Sequence, residues 1–143
     1  LMDLMPTFVE WSGANLETPV DGRSLAPLIL GETVDNWPDS VYCESHGEVW
    51  GYHSQRMVRT EHWKYVYAPN TKDELYDLQE DPAELKNLID DPEHLDVLCE
   101  MKARLIGWND ATNDMFKWSW VRCNFPEPLP PDEVNELKAP LTS

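Results

Sequence analysis

With 143 residues and 41% hydrophobic content, the chain is long and apolar enough to bury a core, which excludes disorder by composition. Eleven basic residues against 27 acidic ones leave a net charge of −16, a field that repels nucleic acid and anionic membranes. No apolar run approaches the roughly 18 residues of a membrane span, and the opening LMDLMPTFVEW lacks the basic start and cleavage site of a signal peptide.

The chain opens inside a helical pattern and reads as a fragment of a longer protein. Asp3 is placed to cap a helix that tolerates Pro6 in its first turn, and Gly13 is placed to end it. Ser24 caps a second, short helix ended by Gly31, and residues 32–39 form a polar linker. Ser40 to Ser45 alternates like a strand. The loop HGEVWGYHS follows, at residues 46–54, and is dense in side chains that bind ligands.

Arg56 to Thr60 and Trp63 to Tyr67 read as an antiparallel pair turning at Glu61-His62. The period of two puts Trp63, Tyr65 and Tyr67 on one face, suited to packing against a helix. Glu74 to Leu78 is a further strand, and AELKNL after Asp81-Pro82 reads as a helical turn. Asp91 caps a long helix with Pro92 in its first position, and Leu95, Leu98, Met101, Leu105 and Trp108 form its apolar stripe. The pattern predicts an α+β fold: a four-stranded antiparallel sheet packed on a long helix, over residues 1–110. Residues 111–143, with Trp118, Trp120 and a crowd of prolines from Pro126 to Pro140, make an extended Pro-rich tail expected to wrap on a neighbouring surface.

Local chemistry is sparse. The densest basic cluster is Arg56, Arg59 and Lys64; Arg59 and Lys64 are read as partners in structural ion pairs. His62 reads as a turn residue and His94 as a helix-start residue. No pair among the four histidines has metal-ligand spacing, so no metal site is expected. Cys43, Cys99 and Cys123 form no CxxC, and their odd number leans toward free thiols and a cytoplasmic setting.

In order along the chain, Asp3-Leu4-Met5-Pro6-Thr7, Asp21-Gly22-Arg23-Ser24-Leu25 with Pro27-Leu28, Arg56-Met57-Val58-Arg59-Thr60, Trp63-Lys64-Tyr65, Glu74-Leu75-Tyr76-Asp77-Leu78, Asp81-Pro82-Ala83-Glu84 and Asn87-Leu88 recur as short motifs. Together they resemble the C-terminal subdomain of type I sulfatases, in the alkaline phosphatase superfamily. Each motif alone is weak, whereas their order and compact spacing over residues 1–110 are specific.

The resemblance implies a small antiparallel sheet on one long helix, joined to an N-terminal catalytic domain of the same protein. It also implies sulfate monoester hydrolysis by a formylglycine nucleophile with Ca²⁺ in the full-length protein. None of Cys43, Cys99 and Cys123 is followed by proline two residues on and arginine four on, as the family's C/S-x-P-x-R motif requires. Asp35-Asn36 mimics a family metal pair but lies on the wrong side of the first helix. The chain alone is therefore expected to be inactive, with no catalytic residue and no cofactor of its own, supplying scaffold and one rim of the cleft.

His46, His53, Gln55 and Arg56 are the candidate contacts to a sulfated small molecule or glycan, because imidazole and guanidinium donate to hydroxyl and anionic groups. Trp50 and Tyr52 serve either as a stacking wall for a sugar ring or as packing. Two alternatives remain open: a fragment of a related phosphodiesterase or phosphonate hydrolase, and a stand-alone binding module for glycans or proteins. Separated from its neighbours, the fragment is expected to self-associate.

Overall fold

A computed structural model describes residues 1–47, 54–69 and 71–114. They belong to two compact units, one over residues 1–38 and the other beginning at Asp39.

In the first unit, helix α1 spans Leu4–Ser12 and α2 spans Ala26–Ile29. Gly13 ends α1 in the left-handed conformation (φ 70°), its N–H donating to the carbonyl of Glu10. Asp3 stands at the N-cap position but makes no side-chain cap. Its carboxylate instead accepts the backbone N–H of Arg23 at 2.8 Å, which corrects the capping role expected of it. The Thr7 hydroxyl donates to the Asp3 carbonyl at 2.6 Å and accepts the Leu25 N–H at 2.8 Å. A Cβ on Gly22 would stand 2.3 Å from the Met2 carbonyl oxygen, so only glycine fits that crossing. Asp3 and Thr7 from one motif and Gly22 from the other are thus the points at which the two N-terminal motifs hold each other. Ser24 accepts the Ala26 N–H at 3.1 Å from one residue before the N-cap, Leu25, so it is not itself the cap expected of it.

In the second unit, β1 (Ser40–His46), β2 (Ser54–Thr60), β3 (Trp63–Tyr67) and β4 (Glu74–Asp77) form one antiparallel sheet in sequence order. Thr60 makes the tight β2–β3 turn, its hydroxyl accepting the N–H groups of His62 and Trp63. Helix α3 (Leu95–Ala111) covers one face, entered through a single 3₁₀ turn at Pro92–His94 that Asp91 caps by accepting the Glu93 N–H. Val58, Tyr65, Tyr67 and Leu75 meet Leu98, Met101, Leu105 and Trp108 in one core, with Trp63 packed against its edge. The aromatic face and the helical stripe therefore meet as the sequence predicts. Leu95 is the exception: it is exposed, so the buried stripe starts one step later, at Leu98.

The segment after Asp81-Pro82 is not the helical turn that its composition suggests. Glu84 takes φ 55°, and Asp81 accepts the Lys86 N–H. Asn87 then bridges: its Oδ1 accepts from the Leu75 and Ile89 N–H groups, and its Nδ2 donates to the Asp73 carbonyl. Side-chain hydrogen bonds here outcompete helix formation, and they deliver Leu88 into the core. Among the described residues no helix is long and apolar enough to cross a membrane.

Candidate functional site

The β1–β2 hairpin carries the candidate residues, and the pleat decides which of them share a face. Tyr42 pairs with Val58, Glu44 with Arg56 and His46 with Ser54. These alternate pairs lie on the face that α3 covers. Along it, burial falls from Val58 in the core to His46, whose side chain is 55% exposed. The hairpin thus runs from the core out to an open edge, where residues 48–53 follow.

Arg56 is buried at 1% exposure. A buried cation needs charge and hydrogen bonds around it, and α3 provides them. Just past the helix, Asn113 takes φ 56° and turns the chain, and the Asp114 N–H returns to the Asn109 carbonyl. The Asp114 carboxylate then grips the guanidinium twice, at 2.5 Å from Nε and 3.2 Å from Nη2. The Tyr42 hydroxyl donates to the same carboxylate at 2.6 Å, and Tyr42 stacks on Trp108. Burial works against the Arg56 charge, but the Asp114 bond and the surrounding negative charge outweigh it, so its pKa is raised. Burial first, and Asp114 second, push the Tyr42 phenol upward as well.

Arg56 therefore belongs to a structural ion pair, with Nη2 also reaching Glu44 at 3.5 Å. His46 lies at the open end of the same face: Nδ1 meets the Ser54 hydroxyl at 3.0 Å and Nε2 faces Glu44 at 3.6 Å. Gln55 pairs with Ser45, so the pleat sends it to the opposite face from His46 and Arg56. The structure brings His46 and Arg56 together through Glu44 and leaves Gln55 apart. His53, with Trp50 and Tyr52, lies outside the described residues.

Sequence reasoning missed Asp114 and Tyr42 as parts of this cluster, whereas Glu44 is a carboxylate that the sequence offers as a partner of Arg56. Asp114 is 58 positions from Arg56, and its one local signal was an asparagine available for a left-handed turn after a helix. At the opposite end of the hairpin, His62 stacks on Trp63 and lies 3.3 Å from Asp77. Desolvation pushes the Asp77 pKa up, but the N–H groups of Glu80 and Gln79, together with His62, outweigh it and hold the carboxyl below its ordinary value. Lys64 forms the ion pair expected of it, with Glu84 at 2.5 Å. Arg59 departs from that expectation: it is exposed on its strand and makes no ion pair among the described residues.

Among the described residues no group of three or more histidine, cysteine or carboxylate side chains can hold a metal ion. Cys43 and Cys99 are exposed free thiols without the flanking proline and arginine of a formylglycine site. The described residues therefore fit neither Ca²⁺ nor formylglycine.

A family model described as N-sulphoglucosamine sulphohydrolase, C-terminal, matches residues 1–111. A Delta 4,5-hexuronate-2-O-sulfatase of Bacteroides thetaiotaomicron is 34% identical over 119 residues, which is 81% of this chain and 24% of that protein. An arylsulfatase of Clostridium perfringens is 32% identical over 121 residues, 78% of this chain and again 24% of the relative. Among solved structures, a 2-O GAG sulfatase superposes with a TM-score of 0.72 at 33% identity, over 80% of this chain and 25% of that one. The chain thus spans about a quarter of the length of the relatives it matches.

Proposed function

We propose, from the premise that this chain belongs to the N-sulphoglucosamine sulphohydrolase C-terminal family, that it is the C-terminal part of a sulfatase cleaving sulfate monoesters. An N-terminal catalytic domain of the same protein supplies the nucleophile and the metal site. Formylglycine and Ca²⁺ are the groups proposed there; a divalent cation stabilises the charge that develops on sulfate oxygens. This chain contributes the rigid sheet, the covering helix and the rim of the substrate cleft. To that rim we assign His46, at the end of the hairpin, together with His53 and with Gln55 on the other face of the sheet. Arg56 serves underneath, holding the hairpin to α3 through Asp114. The substrate proposed is a sulfated glycan or small molecule.

The observation that carries this reading is the family match, which spans residues 1–111 and takes in every motif from Asp3 to Leu88. The test begins with the reading frame upstream of Leu1, which should encode a C/S-x-P-x-R motif. The whole protein should then hydrolyse a sugar sulfate faster than a phosphate diester, and replacing the motif's cysteine or serine should abolish turnover. An upstream frame without the motif, or a preference for the diester, overturns the proposal.

A further inference from the structure

Helix α3 is buried on two sides, and the sheet accounts for one of them. Leu98, Met101, Leu105 and Trp108 form the stripe that meets the strands. At about 3.6 residues per turn, Ala103, Ile106 and Gly107 lie away from that stripe, on the outer side of the helix. Ala103 and Ile106 take no part in the core with the sheet, yet they are only 7% and 6% exposed. Gly107 is buried with them.

The same outer side is open at the start of the helix. Leu95, Asp96 and Cys99 are exposed, and Cys99 stands one turn before Ala103. The shielding is therefore confined to the C-terminal half. Among the described elements, α3 packs on β2, β3 and the 3₁₀ turn, which lie on its sheet side or at its N-terminal end. A cover that begins at Ala103 and ends with the helix has to come from the C-terminal end.

That is where the chain continues. Residues 115–143 lie outside the described residues, but their starting point is fixed. The Asn113 turn closes α3, and Arg56 and Tyr42 hold Asp114 in place. Ala103 lies about 16 Å back along the helix axis, a distance that about five extended residues span. The segment of that reach holds Phe116, Trp118 and Trp120, alternating with Lys117 and Ser119. Such alternation gives an extended segment one apolar side.

We infer that residues 115–121 return along α3 and lay Trp118 and Trp120 on Ala103, Ile106 and Gly107. Ala103 and Gly107 are four residues apart and both small, so they leave a notch beside Ile106 that a flat indole suits. The neighbouring surface that the tail's composition calls for is then this chain's own helix.

The test uses the 143-residue chain carrying Ala103→Cys, a change of little volume at a shielded site. N-ethylmaleimide labelling under native conditions is followed by peptide mass spectrometry, with the exposed Cys99 as the reference on the same helix. The thiol introduced at position 103 should react at least several-fold more slowly than Cys99. Adding Trp118→Ser and Trp120→Ser should bring the two rates together, with the Cys99 rate and the far-UV CD unchanged. Ile106→Cys, labelled in the same way, gives a second reading should Ala103→Cys disturb the helix. Labelling at both positions as fast as at Cys99 overturns the inference. So does protection that survives the two tryptophan substitutions, which would assign the cover to another segment. Protection lost on dilution assigns it to a second copy of the chain and overturns the inference too, as does release that comes only with loss of the helical CD signal. None of these outcomes depends on whether the longer protein hydrolyses sulfate, so failure here and failure of the proposed function are read separately.

Discussion

The two compact units use their apolar side chains in opposite ways. In the sheet unit, Val58, Tyr65, Leu75 and Leu105 are fully shielded, and α3 closes the face that the aromatics open. In the N-terminal unit, Leu4, Met5, Phe8 and Trp11 are 39–60% exposed along α1, and Leu1, Leu4, Met5, Phe8 and Val9 line a shallow apolar groove. What holds the N-terminal unit is polar and local: Asp3 to Arg23, Thr7 to Leu25, and the close crossing at Gly22. The sheet unit has the makings of an independent fold. The N-terminal unit has its shape set by backbone contacts while a large apolar surface stays open, which is unusual on a monomer.

The sharpest way to break this contrast is to strike the sheet unit where charge is buried. Arg56→Ala removes the buried guanidinium that Asp114 grips and should cost about 3–5 kcal/mol, seen as a lower urea midpoint. Leu105→Ala, at a site with no exposure, should cost about 2–5 kcal/mol in the same measurement. If either variant unfolds like the parent, the sheet unit is not the closed body described here.

High pH probes the same core more gently. Burial pushes the Tyr67 phenol up to about 12 from an ordinary value of 10, with Asp73 adding to it, and burial raises Tyr65 and Tyr42 as well. A phenol whose folded pKa is raised contributes no penalty below its unfolded value. Stability should therefore be flat up to pH 10 and fall between 10 and 12, as the unfolded state releases protons first. Near-UV CD against pH checks this, and a transition well below pH 10 contradicts it.

The smallest expected effect on stability lies in the N-terminal unit. Phe8→Ser changes a 60% exposed side chain and should move the unfolding midpoint by less than about 0.5 kcal/mol. It should instead reduce self-association of the isolated chain, measured by light scattering after size exclusion. A parent chain that stays monomeric at all concentrations would count against the apolar face as a docking surface.

How much of this was legible beforehand depends on the range of the forces involved. Strands and helix follow from alternation and helical spacing, which are local, so Trp63, Tyr65 and Tyr67 could be assigned to a core face from their positions alone. Segments ruled by side-chain hydrogen bonds were misread: Asp3 bonds 20 residues away instead of capping its own helix, and Asn87 overrides the helical composition of residues 83–88. The candidate site was the least legible part. The sequence marks His46 and Arg56 as chemically able, but only the register shows that they share a face with Glu44 and that Gln55 does not.

The left-handed turn at Asn113 has a practical consequence for anyone trimming this protein. The family match stops at residue 111, one residue before the turn begins. A fragment cut at that boundary keeps the whole sheet and helix yet discards the carboxylate that grips the buried Arg56 guanidinium twice. Such a fragment should express poorly, whereas one extended only to Asp114 regains the missing counter-charge. The family match thus ends three residues short of the carboxylate that grips Arg56.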